Sequence, residues 1–314
     1  MGEKMEISNP FDKANFDRGG RLFDEDLRNY ALLQESYATY KTNFSEFTKL
    51  EVTAGHSWQE FDQENRWTTG NGLEINESNV YEYTTDIEVD SFLVTNRLIS
   101  FFSRANFSFQ GKYLLTASLR RDGSSRFGDA NKWGLFPAVA VGWRILEEDF
   151  AKNWSNTKTL SDLKLRLSWG ITGNEDIPDF LFKTFYNYSA DDSRYQFGDQ
   201  FVNTLRGTGV DPAIKWEETT SVNVGLDFGF FNSRLNGSLD LYRKYTDDLI
   251  FTVAAPAFTN LSDRILTNVG ELESRGVELN LNGVIIHRKD FDISLNFNTS
   301  YNCLLYTSPS PRDS

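Results

Sequence analysis

Long hydrophobic runs are absent from this sequence of 314 residues. Its apolar stretches, such as Phe136 to Val141, are far shorter than the roughly 20 residues that a transmembrane helix needs. The mean hydropathy is −0.47. A membrane-spanning β-strand needs only about 9–11 residues and alternates apolar with polar side chains. The sequence therefore excludes helical spans and leaves membrane strands open.

Cysteine and histidine are scarce, which limits the chemistry that this chain can perform. The single cysteine, Cys303, can form no internal disulfide and has no neighbour at metal-ligand spacing. The two histidines, His56 and His287, lie far apart and have no cysteine or carboxylate at ligand spacing. Phosphate-binding, calcium-binding and serine-hydrolase motifs are also missing. We therefore predict no catalytic residue, no cofactor, no metal ligand and no enzymatic activity.

Positive charge is in the minority, with 32 Lys and Arg against 45 Asp and Glu, a net charge of −13. The isoelectric point is about 4.7. Binding to nucleic acid depends on clustered Lys and Arg side chains that neutralise phosphates. This composition therefore argues against a nucleic-acid partner.

Aromatic residues are plentiful, since 26 Phe, 13 Tyr and 7 Trp make up 15% of the chain. Such residues suit the pleated, half-buried surface of a β-sheet. Apolar and polar residues also alternate with a period of two, most clearly from Phe291 to Asn302. Comparable runs from residue 31 onward predict roughly ten strands, each with one apolar and one polar face. The chain is therefore predicted to be all-β.

The predicted connections alternate between short and long, so the short links lie at one end of the strands and the long links at the other. Short turns on one rim and long loops on the other are typical of outer-membrane barrels, whose long loops are extracellular. A soluble sandwich would scatter long links over both ends. Only Leu146 to Ser161 is too long for its rim. The short links are residues 45–47, 110–112, 231–234 and 284–289, and the long ones are 60–91, 122–132, 171–216 and 247–269.

Several blocks of sequence resemble one family in the same order. They include "KYLLTASLRRDGSSRFGDANKWGLFPAVAVGWRILEEDF" from Lys112 and "LSDLKLRLSWGITGNEDIPDF" from Leu160. "KWEETTSVNVGLDFGFFNSRLNGSLDLYRKYTDDLIF" from Lys215 and "TNVGELESRGVELNLNG" from Thr267 agree with them. Over about Leu32 to Asn302 the chain resembles the barrel of the SusC/RagA family of TonB-dependent transporters from Bacteroidetes.

This resemblance implies a partial antiparallel transmembrane β-barrel, about ten strands of a 22-stranded barrel with a plug in its lumen. We expect residues 1–30 to be an N-terminal loop segment, 31–302 the partial barrel, and 303–314 a non-native tail. Neither a plug nor the segment that contacts TonB is recognisable in the sequence. The chain is expected to be a fragment of the complete transporter.

The implied function is TonB-dependent import of oligosaccharides, or of peptides, across the outer membrane. The expected partners are a SusD-like surface lipoprotein, TonB, the imported substrate and outer-membrane lipid. A soluble carbohydrate-binding β-protein is the alternative, and an outer-membrane enzyme is a further rival that lacks a nucleophile and base. We assign no substrate-binding residue. Polar-phase residues are predicted to line the lumen and bind the plug, namely Arg104, Asn106, Arg120, Arg166, Asp240 and Glu278.

Two further features of the sequence have both a functional and a structural interpretation. Aromatic residues near predicted strand ends would form an interfacial girdle or would pack in loops. The turn from Arg120 to Asp129 and the aromatic segment from Asp176 to Trp216 would contact substrate or would be satisfied internally. The proposed girdle residues are Trp58, Phe61, Trp67, Trp133, Phe136, Trp143, Trp169, Trp216, Tyr242 and Tyr245.

Overall fold

The computed structural model describes residues 2–8, 21–71, 85–151, 154, 159–188, 194–255 and 264–307. These residues form fifteen β-strands and a short 3-10 helix at Ile145–Glu147. No helix in the described ranges is long and apolar enough to cross a membrane. The strands are β1 (Gly2–Ser8), β2 (Arg21–Ser45), β3 (Thr48–Asn71), β4 (Thr85–Phe109), β5 (Tyr113–Ser124), β6 (Trp133–Arg144), β7 (Leu160–Asn174), β8 (Tyr186–Tyr188), β9 (Arg194–Phe197), β10 (Gln200–Asn203), β11 (Leu205–Gly207), β12 (Glu217–Phe230), β13 (Leu235–Ala254), β14 (Arg264–Arg288) and β15 (Phe291–Thr307).

The chain divides into two compact units, residues 1–34 with 57–98 and residues 35–56 with 99–314. In the first unit, β1 to β4 pair in chain order. In the second, ten strands form one antiparallel sheet in the order β2-β3-β4-β5-β6-β7-β12-β13-β14-β15. Between β7 and β12, β8 pairs with β11 and β9 with β10 in two small antiparallel ladders. The prediction of about ten antiparallel strands is confirmed.

The links of the second unit reproduce the predicted asymmetry in length. Tight turns join β4 to β5 and β14 to β15, whereas the segment between β7 and β12 spans residues 175–216. In the β4–β5 turn Gln110 and Gly111 have φ of 54° and 66°, a left-handed conformation that glycine adopts without strain. The link between β6 and β7 is the long exception, as the sequence indicates. One rim of the sheet therefore carries mainly tight turns and the other mainly long segments.

Several strands extend beyond the boundaries that the sequence predicts. Residues 60–71 and 85–91 belong to β3 and β4, and residues 247–254 and 264–269 belong to β13 and β14, although both stretches are predicted to be loops. A 25-residue strand is about 80 Å long at about 3.3 Å per residue, far more than the hydrocarbon thickness of a bilayer. Apolar and polar residues do not alternate regularly in these outer parts, so the sequence does not identify them as strands.

The two ends of the chain also differ from expectation. Residues 2–8 and 21–30 form β1 and the start of β2, so the prediction of a loop is wrong for these residues, and 9–20 lie outside the described residues. Backbone pairing stabilises these strands without strict alternation. Residues 303–307 continue β15, while 308–314 lie outside the description. The non-native origin of the tail stays a prediction.

Candidate functional site: the two faces of the sheet

One face of the sheet from β5 to β15 consists of apolar rows that run across the strands. Directly paired residues share a face, so the strand register defines each row. The central row joins seven strands, and its side chains are 38% to 73% exposed. A continuous exposed apolar surface of this kind requires an apolar environment. The row is Leu115, Val141, Leu167, Val224, Leu241, Val277 and Tyr301.

These apolar rows form a band of limited height. On β12 the band runs from Phe230 to Val222, eight residue steps or about 26 Å at about 3.3 Å each. At the short-turn side it includes Phe228 and Leu226. At the other side the row of Val222 contains the first charged residues of this face. The height matches the apolar band of about 25 Å on membrane barrels.

The opposite face of the sheet carries an ordered group of charges centred on Arg166. Its Nε donates to both carboxylate oxygens of Asp227, at 3.0 and 2.9 Å. Its Nη2 donates to both oxygens of Asp240, at 3.0 Å each. Lys164 lies 3.8 Å from Asp227. One guanidinium therefore bridges two carboxylates from neighbouring strands, an arrangement whose planar fork only arginine provides.

A glycine makes this bridge possible. Arg166 pairs with Gly225, and Gly225 pairs with Asp240, so the guanidinium crosses directly over the glycine. A Cβ at position 225 would lie 2.6 Å from Asp240 Oδ1 and 2.7 Å from Arg166 Cζ. The absence of a side chain at this position lets the ion pairs lie flat on the sheet.

Gly225→Ala is expected to displace the guanidinium and lower the free energy of unfolding by about 1–2 kcal/mol, as overpacking does elsewhere. Urea titration of the intact protein would measure the change. Gly283→Ala is the matched control, because a Cβ there would have its nearest neighbour at 3.8 Å. Equal effects of the two substitutions would contradict the role assigned to Gly225.

The polar-phase residues named from the sequence all lie on this polar face. Asp240 pairs directly with Glu278, beside Arg166 in the same row. Thr116, in phase with Arg120 on β5, donates to Asn106 Oδ1 at 2.9 Å. Arg104, Asn106 and Arg120 also line a groove of about 390 Å³ with Glu35 and Glu51. The phase prediction is confirmed for these six residues, while their contact with a plug stays a prediction.

The loop core lies at the long-link rim and contains most of the buried apolar side chains. We use this name for Phe127, Phe136, Ile177, Ile214 and Trp216, each less than 10% exposed. The ring of Trp216 lies 5.0 Å from that of Phe127 and 5.4 Å from that of Phe136. Its Nε1 donates to the carbonyl oxygen of Lys132 at 3.3 Å. The β5–β6 link and the end of the β7–β12 segment are thereby packed together.

Most charges of the turn from Arg120 to Asp129 are paired within the protein, although the buried Nε of Arg126 has no hydrogen-bond partner among the described residues. Arg120 pairs with Asp122 at 2.7 Å, and Lys132 pairs with Asp129 at 2.7 Å, which lowers the pKa of the Asp129 carboxyl. Arg126 donates to the carbonyl oxygen of Glu175 at 2.9 Å. Burial raises the pKa of the Glu175 carboxyl. This pairing favours the structural interpretation of the turn over direct contact with substrate.

Part of the aromatic segment between β7 and β12 points into solvent. Phe185 and Tyr186 are exposed, and Phe180 and Phe185 form an edge-to-face pair at 6.3 Å. On the β9–β10 hairpin, Tyr195 and Phe197 lie 4.8 Å apart on one side. Phe182 is half-buried, and the side chain of Tyr188 lies outside the description. The hairpin therefore presents two adjacent exposed rings at the long-link rim.

The long link between β6 and β7 is attached to the sheet through Glu148. Its Oε1 accepts hydrogen bonds from Tyr113 Oη at 2.5 Å and from Trp143 Nε1 at 3.1 Å. Its Oε2 accepts from Lys112 Nζ at 3.3 Å. These donors, Tyr113 foremost, hold the pKa of the Glu148 carboxyl below its ordinary value.

Because the pKa of Glu148 is lowered by docking, the attachment is complete above the ordinary glutamate pKa and is lost as pH falls through the lowered value. A nitroxide label on Glu147→Cys, with Cys303 replaced by serine, is expected to stay immobile at neutral pH and to gain mobility in acid. In Glu148→Gln the label should already be mobile at neutral pH. A label that moves equally at every pH would contradict the attachment.

The two histidines lie in unrelated places. The ring of His56 lies 6.4 Å from that of Phe101. His287 pairs with Asp292 across the β14–β15 turn, with 2.5 Å between Nδ1 and Oδ1. In the part of the chain that the structure describes, no group of three or more His, Cys, Asp or Glu side chains could hold a metal ion.

Comparison with known proteins shows the family to which this two-faced sheet belongs. A family model described as TonB dependent receptor-like, beta-barrel matches residues 6–313. The chain belongs to this family. It is 43% identical over 216 residues to the TonB-dependent receptor SusC of Bacteroides thetaiotaomicron, a match that covers 68% of this chain and 21% of SusC. It is 36% identical over 305 residues to the TonB-dependent receptor P39 of Formosa agariphila, covering 96% and 28%.

A solved structure agrees with this TonB-dependent receptor family. The RagAB peptide importer in its closed-closed state gives a TM-score of 0.80 at 26% identity, over 92% of this chain and 31% of the matched chain. The chain thus spans less than a third of the length of these relatives. The predicted fold, part of a TonB-dependent barrel of the SusC/RagA type, is confirmed. These relatives are named as receptors and an importer, which agrees with the prediction of a non-enzyme.

In a TonB-dependent receptor barrel the apolar band faces lipid, with aromatic girdles at its two edges. Trp133, Trp143 and Trp169 lie on the apolar face, as a girdle requires. Phe136 and Trp216 instead belong to the loop core. Tyr242 lies on the polar face, where its ring covers Gly276 of the neighbouring strand. The girdle prediction is wrong for these three, because aromatic character near a strand end does not define the direction of a side chain.

Proposed function

We propose that this TonB-dependent receptor chain forms part of the wall of an outer-membrane importer of the SusC/RagA type. The importer takes up an oligosaccharide, or alternatively a peptide, with a SusD-like surface lipoprotein at its mouth and energy from TonB. The observation that carries the proposal is the two-faced sheet. Its apolar rows suit lipid, and its ion-paired polar face suits a water-filled lumen.

The polar face also suits a folded plug. The Arg166 group is satisfied within the wall, whereas the groove lined by Arg104, Asn106 and Arg120 is open and carries both signs of charge. A plug that must move during import needs polar contacts that water can replace. We propose that these wall residues make such contacts with the plug.

Chemical labelling of the intact receptor in its membrane tests which face meets lipid. In a background where Cys303 is serine, a cysteine at Ser168 on the polar face should react with a membrane-impermeant maleimide. A cysteine at the adjacent Leu167, in the central apolar row, should resist it and react with a lipid-soluble reagent. If both react equally with the impermeant reagent, the apolar rows do not face lipid, and the proposal fails.

The exposed rings of Tyr195 and Phe197 support an oligosaccharide as the first candidate cargo. Flat aromatic faces bury the apolar face of a sugar ring, and neighbouring rings can follow successive sugar units. The two rings lie on the same side of the β9–β10 hairpin, at the rim expected to be extracellular. Peptide is the second candidate because RagAB is named a peptide importer.

Tyr195→Ala combined with Phe197→Ala is expected to lower uptake of a labelled oligosaccharide about tenfold, from about 1.5 kcal/mol of lost stacking. Phe201→Ala is the matched control, since Phe201 is as exposed but lies on the other side of the hairpin. Uptake by cells that express each variant would measure the effect. Loss of peptide uptake with unchanged oligosaccharide uptake would assign the rings to peptide.

A further inference from the structure

The upper edge of the apolar face carries two arginines side by side. Arg243 and Arg275 are directly paired across β13 and β14 and share a row with Trp169 and Val222. They are the first charged residues of this face beyond the central apolar row. Like charges directly opposite each other destabilise a sheet. Pairing between strands therefore does not account for this arrangement.

One carboxylate partly neutralises the pair. Glu273 lies in the next row on the same face and accepts a hydrogen bond from the Nε of each arginine. Two guanidiniums against one carboxylate leave a net charge of +1. Within the described part of the chain, the Nη groups of both arginines have no hydrogen-bond acceptor. Their side chains are 60% and 57% exposed, while that of Glu273 is 15% exposed.

The position of the arginines indicates what they face. Tyr245, Asp247 and Glu271 lie further from the apolar band, with the Tyr245 hydroxyl within hydrogen-bond reach of both carboxylates. Among the described residues, Glu273 is therefore the one carboxylate that bonds the two arginines. Trp169, an aromatic residue at the same level, marks the boundary between hydrocarbon and water. In the proposed membrane position this is the level of the lipid headgroups, at the rim that has the long segments.

We propose that Arg243 and Arg275 bind the phosphate of a phosphorylated lipid headgroup in the outer leaflet, an inference that rests on the proposed function. Arginine forks bind phosphate oxygens in pairs, and the free Nη groups are the donors for such bonds. Glu273 accepts from the Nε of each guanidinium, which leaves the Nη groups available to a ligand. The acyl chains of the lipid lie along the apolar rows below.

Native mass spectrometry of the intact receptor in neutral detergent tests this, with bisphosphorylated lipid A and its dephosphorylated form as probes. The wild-type receptor is expected to prefer the phosphorylated form about tenfold, as expected for charge-assisted bonds. Arg243→Gln with Arg275→Gln should abolish the preference. Lys244→Gln is the matched control, because Lys244 neighbours Arg243 but lies on the polar face and should leave the preference intact.

Removing both arginines leaves the Glu273 carboxylate unpaired, which could impair folding of the double variant. A triple variant that also carries Glu273→Gln removes this charge and serves as the test in that case. A preference that survives removal of both arginines overturns the proposal. If inorganic phosphate competes for the site as well as the phosphorylated lipid does, free phosphate and not a lipid headgroup is the ligand. If the receptor retains neither form of the lipid, the apolar face is not a lipid surface, and the proposed function fails as well.

Discussion

Trp216→Ala is expected to open the loop core while the sheet stays folded. Trp216 is only 5% exposed and contacts Phe127 and Phe136, which come from the β5–β6 link and β6. Removing a buried tryptophan side chain costs about 3–5 kcal/mol. Because the lost contacts join long segments to each other, local opening should account for most of the effect.

Hydrogen exchange of the intact receptor would measure this opening. Amides of residues 125–132 and 208–216 should exchange about a hundredfold faster, which corresponds to about 3 kcal/mol of local stability. Amides of the central apolar rows should not change. Phe197→Ala is the matched control, since that ring is 62% exposed and lies outside the loop core. Unchanged exchange in Trp216→Ala would mean that the loop core does not hold these segments.

The sequence was informative wherever the two faces of a strand meet different surroundings. The alternation of Phe291 to Asn302 predicts β15 because one face is apolar and the other polar throughout. The same phase correctly assigns Arg166, Asp240 and Glu278 to one face. In the outer parts of β3 and β4 apolar and polar residues do not alternate regularly, so these residues are predicted to be loop.

Contacts between distant segments could not be predicted from the sequence. Nothing near Trp216 in the sequence indicates that it packs on Phe127, 89 positions earlier. The Arg166 bridge depends on Gly225, and a lone glycine in a strand has several explanations, of which close approach of a side chain is one. Arg243 and Arg275 alternate in phase with apolar residues, but their direct pairing requires the register of β13 and β14.

Arg166→Met is expected to lower the free energy of unfolding by about 2 kcal/mol, because it leaves Asp227 and Asp240 as adjacent uncompensated carboxylates. The full cost of breaking a buried ion pair is larger, but Arg166 is a third exposed, and solvent screens part of the repulsion. Urea titration of the intact receptor in phospholipid would measure the loss. Methionine keeps the length of the side chain, so the change tests the charge.

Lys164→Met is the matched control for this experiment. Lys164 lies on the same strand and face, but its contact with Asp227 is long, at 3.8 Å. Its loss should cost about 0.5 kcal/mol or less. Adding Asp227→Asn and Asp240→Asn to Arg166→Met should restore most of the stability, since no unpaired charge then remains. If Arg166→Met and Lys164→Met have equal effects, or if the added amides restore nothing, the bridge is not what stabilises this part of the wall. A restored variant would also allow the charges of the polar face to be removed without loss of the fold.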